Sequence, residues 1–148
     1  MTDKKFMSVL CERDNRIHGL YAVWARKHNI NYNILAVLCS VHNQSGCTQK
    51  HICDEWCLAK QTVNTTCKEL IGMGLLISEQ SLTSKRETTL RLTEKGIAFS
   101  EPLFEELQKI EERIYAKMGS TKVQKFMELY AEYAELAEAE FEKSIADK

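Results

Sequence analysis

The stretch TQKHICDEWCLAKQTVNTTCKELIGMGLLI at residues 48–77 limits what this chain can fold into more than any other. It holds two short amphipathic helical patterns divided by a few residues, the second stopped by Gly74. In the first pattern Ile52 and Trp56 lie four apart and share an inward face with the small Cys53. In the second, Val63, Cys67 and Leu70 recur at spacings of four and three and define a buried stripe. Left outside are Lys60, Gln61, Asn64, Thr65 and Lys68, a face of amides, a hydroxyl and cations with no acid. Two such helices predict a helix-turn-helix. Amide side chains can pair with adenine edges, lysines can meet guanine or phosphate, and a helix fits the major groove, so this face suits duplex DNA. An ordinary solvated helix face could carry the same residues.

The start of the second helix favours the DNA reading. Its natural cap position is Ala59, which has no side-chain acceptor, and its first turn, Lys60, Gln61 and Thr62, has no acid to offset the helix dipole. A phosphate docked there would accept the orphan backbone amides and pair with Lys60. A frayed first turn is the simpler alternative.

The rest of the chain is predicted to be mainly helical. Residues 3–27 carry a helical stripe of Phe6, Leu10, Ile17, Leu20, Tyr21 and Trp24, ended by residues 29–31. Asn31 can cap a second helix with Ile34, Leu35, Leu38 and Val41 inward, and HNQSG at 42–46 ends it. Thr48 caps the helix-turn-helix. After Gly74, LLISE reads as a strand, QSLTSKRE as a loop and TTLRLT as a second strand, a β-hairpin wing with Lys85 and Arg86 at its tip. Long cations there can reach an adjacent minor groove, or simply protect a hairpin edge. Thr93 caps a further helix to about Met118, which Pro102 should kink or divide, and Ser120 or Thr121 caps a last one after Gly119. That last helix has an apolar stripe of Val123, Phe126, Met127, Tyr130, Ala134, Ala137 and Phe141 under an acidic exterior.

The fold class is therefore mainly α with a small β-hairpin wing: a winged helix-turn-helix domain at 31–96, an N-terminal dimerisation helix at 1–30, and a C-terminal helical dimerisation region at 97–148. The terminal helices carry more apolar face than so small a wing domain can cover, and a twofold copy of the chain is the commonest partner. A dimer places its two reading helices about one DNA turn apart, so the expected target is double-stranded DNA with a short inverted repeat. Packing of the terminal helices within one chain is the alternative.

Charge is distributed to match. The formal net charge is −1, but residues 1–96 hold 13 Lys or Arg against 9 Asp or Glu, and residues 97–148 hold 7 against 12. A basic front and an acidic tail fit a binding domain joined to a non-binding one. No apolar run approaches a membrane span and the N-terminus lacks a signal-peptide core, so a cytoplasmic protein with no membrane partner is expected. In that reducing setting the six cysteines are expected to be thiols or ligands, with no structural disulfides.

Residues 52–77, followed by LTSKRETTLRLTEKG at 82–96, resemble the multiple-antibiotic-resistance regulator (MarR) family of winged-helix transcription factors. The most specific parts are TVN at 62–64, KEL at 68–70, GLLI at 74–77 and LTEKG at 92–96, and the resemblance extends over nearly the whole chain. It implies an obligate homodimer built from the terminal helices, with residues 61–68 in the major groove and Arg86 in the minor groove. It further implies a repressor released from DNA by a small ligand or an oxidant. Two positions depart from the family pattern: Ser84 stands where an Asp usually braces the wing arginine, and Ala59 stands where Ser or Pro is commoner.

In many relatives a cleft between the dimer helices and the wing domain takes aromatic compounds, for which Tyr21, Trp24, His28 and Trp56 are candidate lining residues here. These aromatics also fall on buried stripes and could equally be core. Cys11, with Arg13 nearby, is the candidate redox thiol, against the reading of a small buried hydrophobe. His51, Cys53 and Cys57, with His42, Cys47 and Cys67, form a soft-ligand group, but without a CxxC pair no metal site and no cofactor are expected. The chain has no phosphate-cradling glycine loop, HExxH or GxSxG, so no enzyme is expected. The expected function is a sequence-specific DNA-binding transcriptional regulator; the alternatives are a winged-helix protein-interaction module that binds no DNA, or a thiol- or metal-sensing regulator.

Overall fold

The structure, a computed structural model, describes residues 3–80 and 88–146. In chain order it holds α1 (Asp3–Lys27), α2 (Tyr32–Asn43), α3 (Gln49–Trp56), α4 (Lys60–Gly72), β1 (Leu76–Gln80), β2 (Thr88–Leu92), α5 (Glu94–Met118) and α6 (Ser120–Ala146). The fold is mainly α with a small two-stranded antiparallel wing, as the periodicities predict. The chain divides into two compact units, Met1–Phe104 and Glu105–Lys148.

Local chemistry accounts for most helix ends in the first unit. Asn29 adopts a left-handed conformation (φ 59°), and Asn29 N–H and Ile30 N–H bond back to the Arg26 and Ala25 carbonyls, which closes α1. Asn31 Oδ1 then accepts from Ile34 N–H at 2.9 Å, and Thr48 Oγ1 accepts from His51 N–H at 3.1 Å, capping α2 and α3. At the end of α4, Gly74 (φ 74°) donates to Ile71 and Leu75 donates to Leu70, with Leu70 and Leu75 both buried. These bonds satisfy carbonyls that the helix leaves open and turn the chain sharply into β1.

The core of this unit forms where α2, α3, α4 and the wing meet, around Leu35, Leu38, Ile52, Val63, Leu70 and Leu90, each 2% exposed or less. The buried stripe of α4 is Val63, Cys67 and Leu70 as the spacing predicts, with Thr66 added. Thr66 is tolerated there because its hydroxyl donates to the Thr62 carbonyl at 2.9 Å. β1 and β2 pair in the register Leu76↔Leu92, Ser78↔Leu90 and Gln80↔Thr88. On the other edge of β2, Gly46 and Cys47 exchange backbone hydrogen bonds with Leu90. The segment after α2 is thus a loop, as expected, but one pinned to the wing.

Two sequence expectations need revision. Pro102 does not divide its helix: α5 runs unbroken from Glu94 to Met118. The amide that proline lacks would have bonded Ala98, an exposed residue whose carbonyl can turn to water. Neither Ser120 nor Thr121 caps the last helix: α6 starts at Ser120, and Gly119 (φ 81°) both receives Val123 N–H and donates to Tyr115. The left-handed φ of this one-residue junction favours glycine.

In the second unit no residue of α6 is buried, and Phe126, Leu136, Phe141 and Ile145 are all more than half exposed. Of the predicted stripe, Phe126, Met127, Tyr130 and Phe141 are exposed. No described helix is long and apolar enough to cross a membrane.

Candidate nucleic-acid interface

Burial of Val63, Thr66, Cys67 and Leu70 fixes the rotation of α4 about its own axis, and this rotation decides which side chains face outward. Lys60, Gln61, Thr65 and Lys68 are exposed, while Thr62 and Asn64 are half-buried at the flanks of that face. Of the five outward residues the spacing predicts, four are exposed and Asn64 is half-buried. Among the described residues neither Lys60 nor Lys68 is held in an ion pair, unlike Lys50 with Asp54 and Arg91 with Glu79. Their charge is available to a partner.

The N-terminus of α4 is also open. Ala59 makes no side-chain cap hydrogen bond and the first turn contains no acid. The partial positive charge and free amides there are stabilised by an anion. An exposed cationic, amide-bearing helix entered at an uncapped N-terminus can grip a phosphate at one end and present hydrogen-bonding groups to base edges beyond it. The predicted wing-tip residues Lys85 and Arg86 lie outside the described residues.

α3 is tied to α2 by a polar cluster that the sequence did not reveal. The buried Ser40 hydroxyl of α2 donates to the Glu55 carboxylate and accepts from Trp56 Nε1 at 2.8 Å, and Trp56 Nε1 also lies 3.1 Å from the same carboxylate oxygen. The Trp56 ring sits edge-on to Tyr32 at 5.9 Å, and Tyr32 meets His18 at 6.3 Å. Burial, with the Cys39 thiol as a lesser cause, pushes the Tyr32 hydroxyl pKa up. Ser40→Ala is expected to cost about 1–3 kcal/mol, since it leaves a buried donor and acceptor short of a partner. Urea unfolding measures it, and an unchanged midpoint would mean that the cluster contributes nothing to stability.

Of the candidate effector residues, Trp24 and His28 lie with ring centroids 4.2 Å apart at a tilt of 40°, and Tyr21, Trp24, His28 and Trp56 are all half-buried. Trp56 is thus engaged in structural contacts of its own. Cys11 is exposed. Cys47 and Cys67 are buried: burial first, then Glu55, pushes Cys47 up to about 11, and burial first, then Cys47 and Cys53, pushes Cys67 up to about 12. Both stay protonated and unreactive at neutral pH. No group of three or more His, Cys, Asp or Glu among the described residues is arranged to hold a metal ion.

At the other end of α4 the structure shows a second feature that spacing alone does not announce. Thr93 Oγ1 donates to the Gly74 carbonyl at 2.7 Å and receives Gly96 N–H at 2.9 Å, which makes Thr93 the cap of α5 as predicted. Lys95 Nζ donates to the Met73 carbonyl at 2.7 Å. The LTEKG motif could have marked the place, but its partners lie about 20 residues away and no local pattern names them.

A sequence profile of the MarR family matches residues 30–88, from the approach to α2 into β2. An HTH-type transcriptional regulator of Staphylococcus aureus (strain Mu50) is 32% identical over 98 residues, 66% of this chain and 67% of that protein. Among solved structures, a MarR family regulator from Neisseria meningitidis is 33% identical with a TM-score of 0.80, covering 96% of this chain and 98% of that one. Staphylococcus aureus MarR in complex with salicylate and kanamycin is 25% identical with a TM-score of 0.73, covering 93% of each chain.

Proposed function

The chain belongs to the MarR family, a family of DNA-binding transcriptional regulators, and from that premise we propose that it is a sequence-specific repressor that binds a short inverted repeat as a homodimer. The observation that carries this reading is the outward face of α4, where Lys60, Gln61, Thr65 and Lys68 stand exposed beyond an uncapped helix start. Lys60 and the open amides take a phosphate, Lys68 takes a second phosphate or a guanine, and Gln61 and Asn64 read base edges flanked by the Thr62 and Thr65 hydroxyls. Lys85 and Arg86 reach the neighbouring minor groove. The helices at 1–30 and 97–148 supply the dimer contact, and the protein works in the cytoplasm as a regulator and not as an enzyme.

Release from DNA is assigned to a small aromatic acid, by analogy with the relative solved with salicylate and kanamycin, with Tyr21, Trp24, His28 and Trp56 as the residues to test. Cys11 is the residue to test for release by an oxidant, being the exposed thiol of α1.

Selection of bound duplexes from a random pool at about physiological salt tests the central claim, because non-specific binding is weak there while specific binding survives. Enrichment of an inverted repeat with half-sites about one turn apart is expected. A folded protein that enriches nothing, with or without aromatic acids, would overturn the reading in favour of a protein-interaction module. On the selected operator, Gln61→Ala or Asn64→Ala should cost about 1–3 kcal/mol at particular base pairs. An equal loss on every sequence would remove the residue from the base-reading set.

A further inference from the structure

The chain leaving α4 is gripped over its next three carbonyls by the start of α5. Lys95 Nζ takes the Met73 carbonyl at 2.7 Å, the Thr93 hydroxyl takes Gly74 at 2.7 Å, and the Thr93 amide takes Leu75 at 3.0 Å. The backbones are in close approach: a Cβ placed on Gly96 would fall 2.0 Å from the Leu75 oxygen. The Lys95 stem runs past Gly74, whose own Cβ position would lie 3.9 Å from Lys95 Cδ. One end of α4 is therefore clasped while the other, at Ala59, has no side-chain cap.

We infer that Lys95, with Thr93, is a specificity-determining positioning residue: by joining the α4 C-terminus to the α5 N-terminus it fixes the angle at which α4 enters the groove, and so the half-site spacing the protein accepts. This rests on α4 being the DNA-reading helix. Lys95 is exposed, and a surface cation near a helix C-terminus adds little to stability by itself. Its consequence is geometric. Val63 is buried near the start of α4, so the helix is held between that packing and the clasp at its C-terminus, and a shift at the clasp tilts the helix and carries Gln61 with it. In a twofold dimer the same tilt on both sides changes the separation of the reading helices.

The experiment compares wild type, Lys95→Met and Lys95→Arg on the selected operator, on versions with one base pair added or removed between half-sites, and on random duplex over a range of salt. Lys95→Met is expected to keep the circular dichroism and oligomeric state of the wild type. It should lose about tenfold in affinity for the operator and much less for the altered spacings, since one charge-assisted hydrogen bond is removed. Its random-duplex affinity and salt slope should stay unchanged, and Lys95→Arg, which can still donate to Met73, should restore the spacing preference. An equal loss on all duplexes with a salt slope smaller by about one would make Lys95 a phosphate contact and overturn the positioning role. So would a Lys95→Met protein indistinguishable from wild type on every duplex. If Lys95→Met does not fold, Thr93→Ser, which keeps the hydroxyl and so the spacing preference, and Thr93→Val, which removes it, decide the matter by the same ratio. A wild-type protein that binds no duplex would overturn the DNA-reading function itself, and this inference with it.

Discussion

Gly96→Ala should destabilise the first unit by on the order of 3 kcal/mol, a large part of what holds a small domain together. Gly96 is buried in the first turn of α5, and the added methyl would sit 2.0 Å from the Leu75 oxygen, 3.0 Å from the Leu75 carbonyl carbon and 3.1 Å from Leu92 Cδ2. The two closest of these contacts are to backbone atoms, and only Leu92 Cδ2 is a side-chain end that can move aside. The Leu75 carbonyl is itself held by Thr93 N–H at 3.0 Å, so shifting it breaks the junction between α4, the wing and α5. Urea unfolding of Gly96→Ala beside Gly19→Ala makes the comparison specific. Gly19 lies within α1 with nothing within 4 Å of its Cβ position, so an alanine there should stabilise by about 0.5–1 kcal/mol. A loss below about 1 kcal/mol for Gly96→Ala would show that the close approach relaxes easily.

Phe126→Asp should abolish the proposed homodimer and with it nearly all operator binding. Phe126 is 53% exposed and stacks on Tyr130 at 5.7 Å, within a helix that has no buried residue. An apolar stripe of this length along a 27-residue helix needs a partner surface, which a second copy supplies in the proposed homodimer. A carboxylate at its centre would be buried unpaired in the assembled form. Sedimentation should then give a monomer or an aggregate, and because two half-sites are no longer engaged at once, operator affinity should fall by about 100-fold or more. A dimer unchanged by the substitution would place the interface elsewhere.

Much of this architecture is legible in the order of residues, for a reason visible in the caps. Asn31, Thr48 and Thr93 each hold an amide three residues ahead, and Gly74 turns the chain where a left-handed residue is required. Such contacts lie within one turn, so a short window contains both partners. The outward face of α4 was legible on the same terms, since burying Val63, Cys67 and Leu70 leaves Lys60, Gln61, Thr65 and Lys68 nowhere else to point.

Local order alone determined that this chain makes amphipathic helices, where most of them start and stop, and which side of α4 is polar. Tertiary structure decided what those elements lean on. Trp56 binds Ser40 across 16 positions, Lys95 reaches back 22 to Met73, Cys47 pairs with Leu90 at the wing edge, and Gly96 must be a glycine because Leu75 passes over it. The division follows from range. A helix period or a cap is a property of neighbours, whereas these contacts exist only once several buried stripes have been brought to a common core, and no spacing along the chain encodes which carbonyl a lysine will then find.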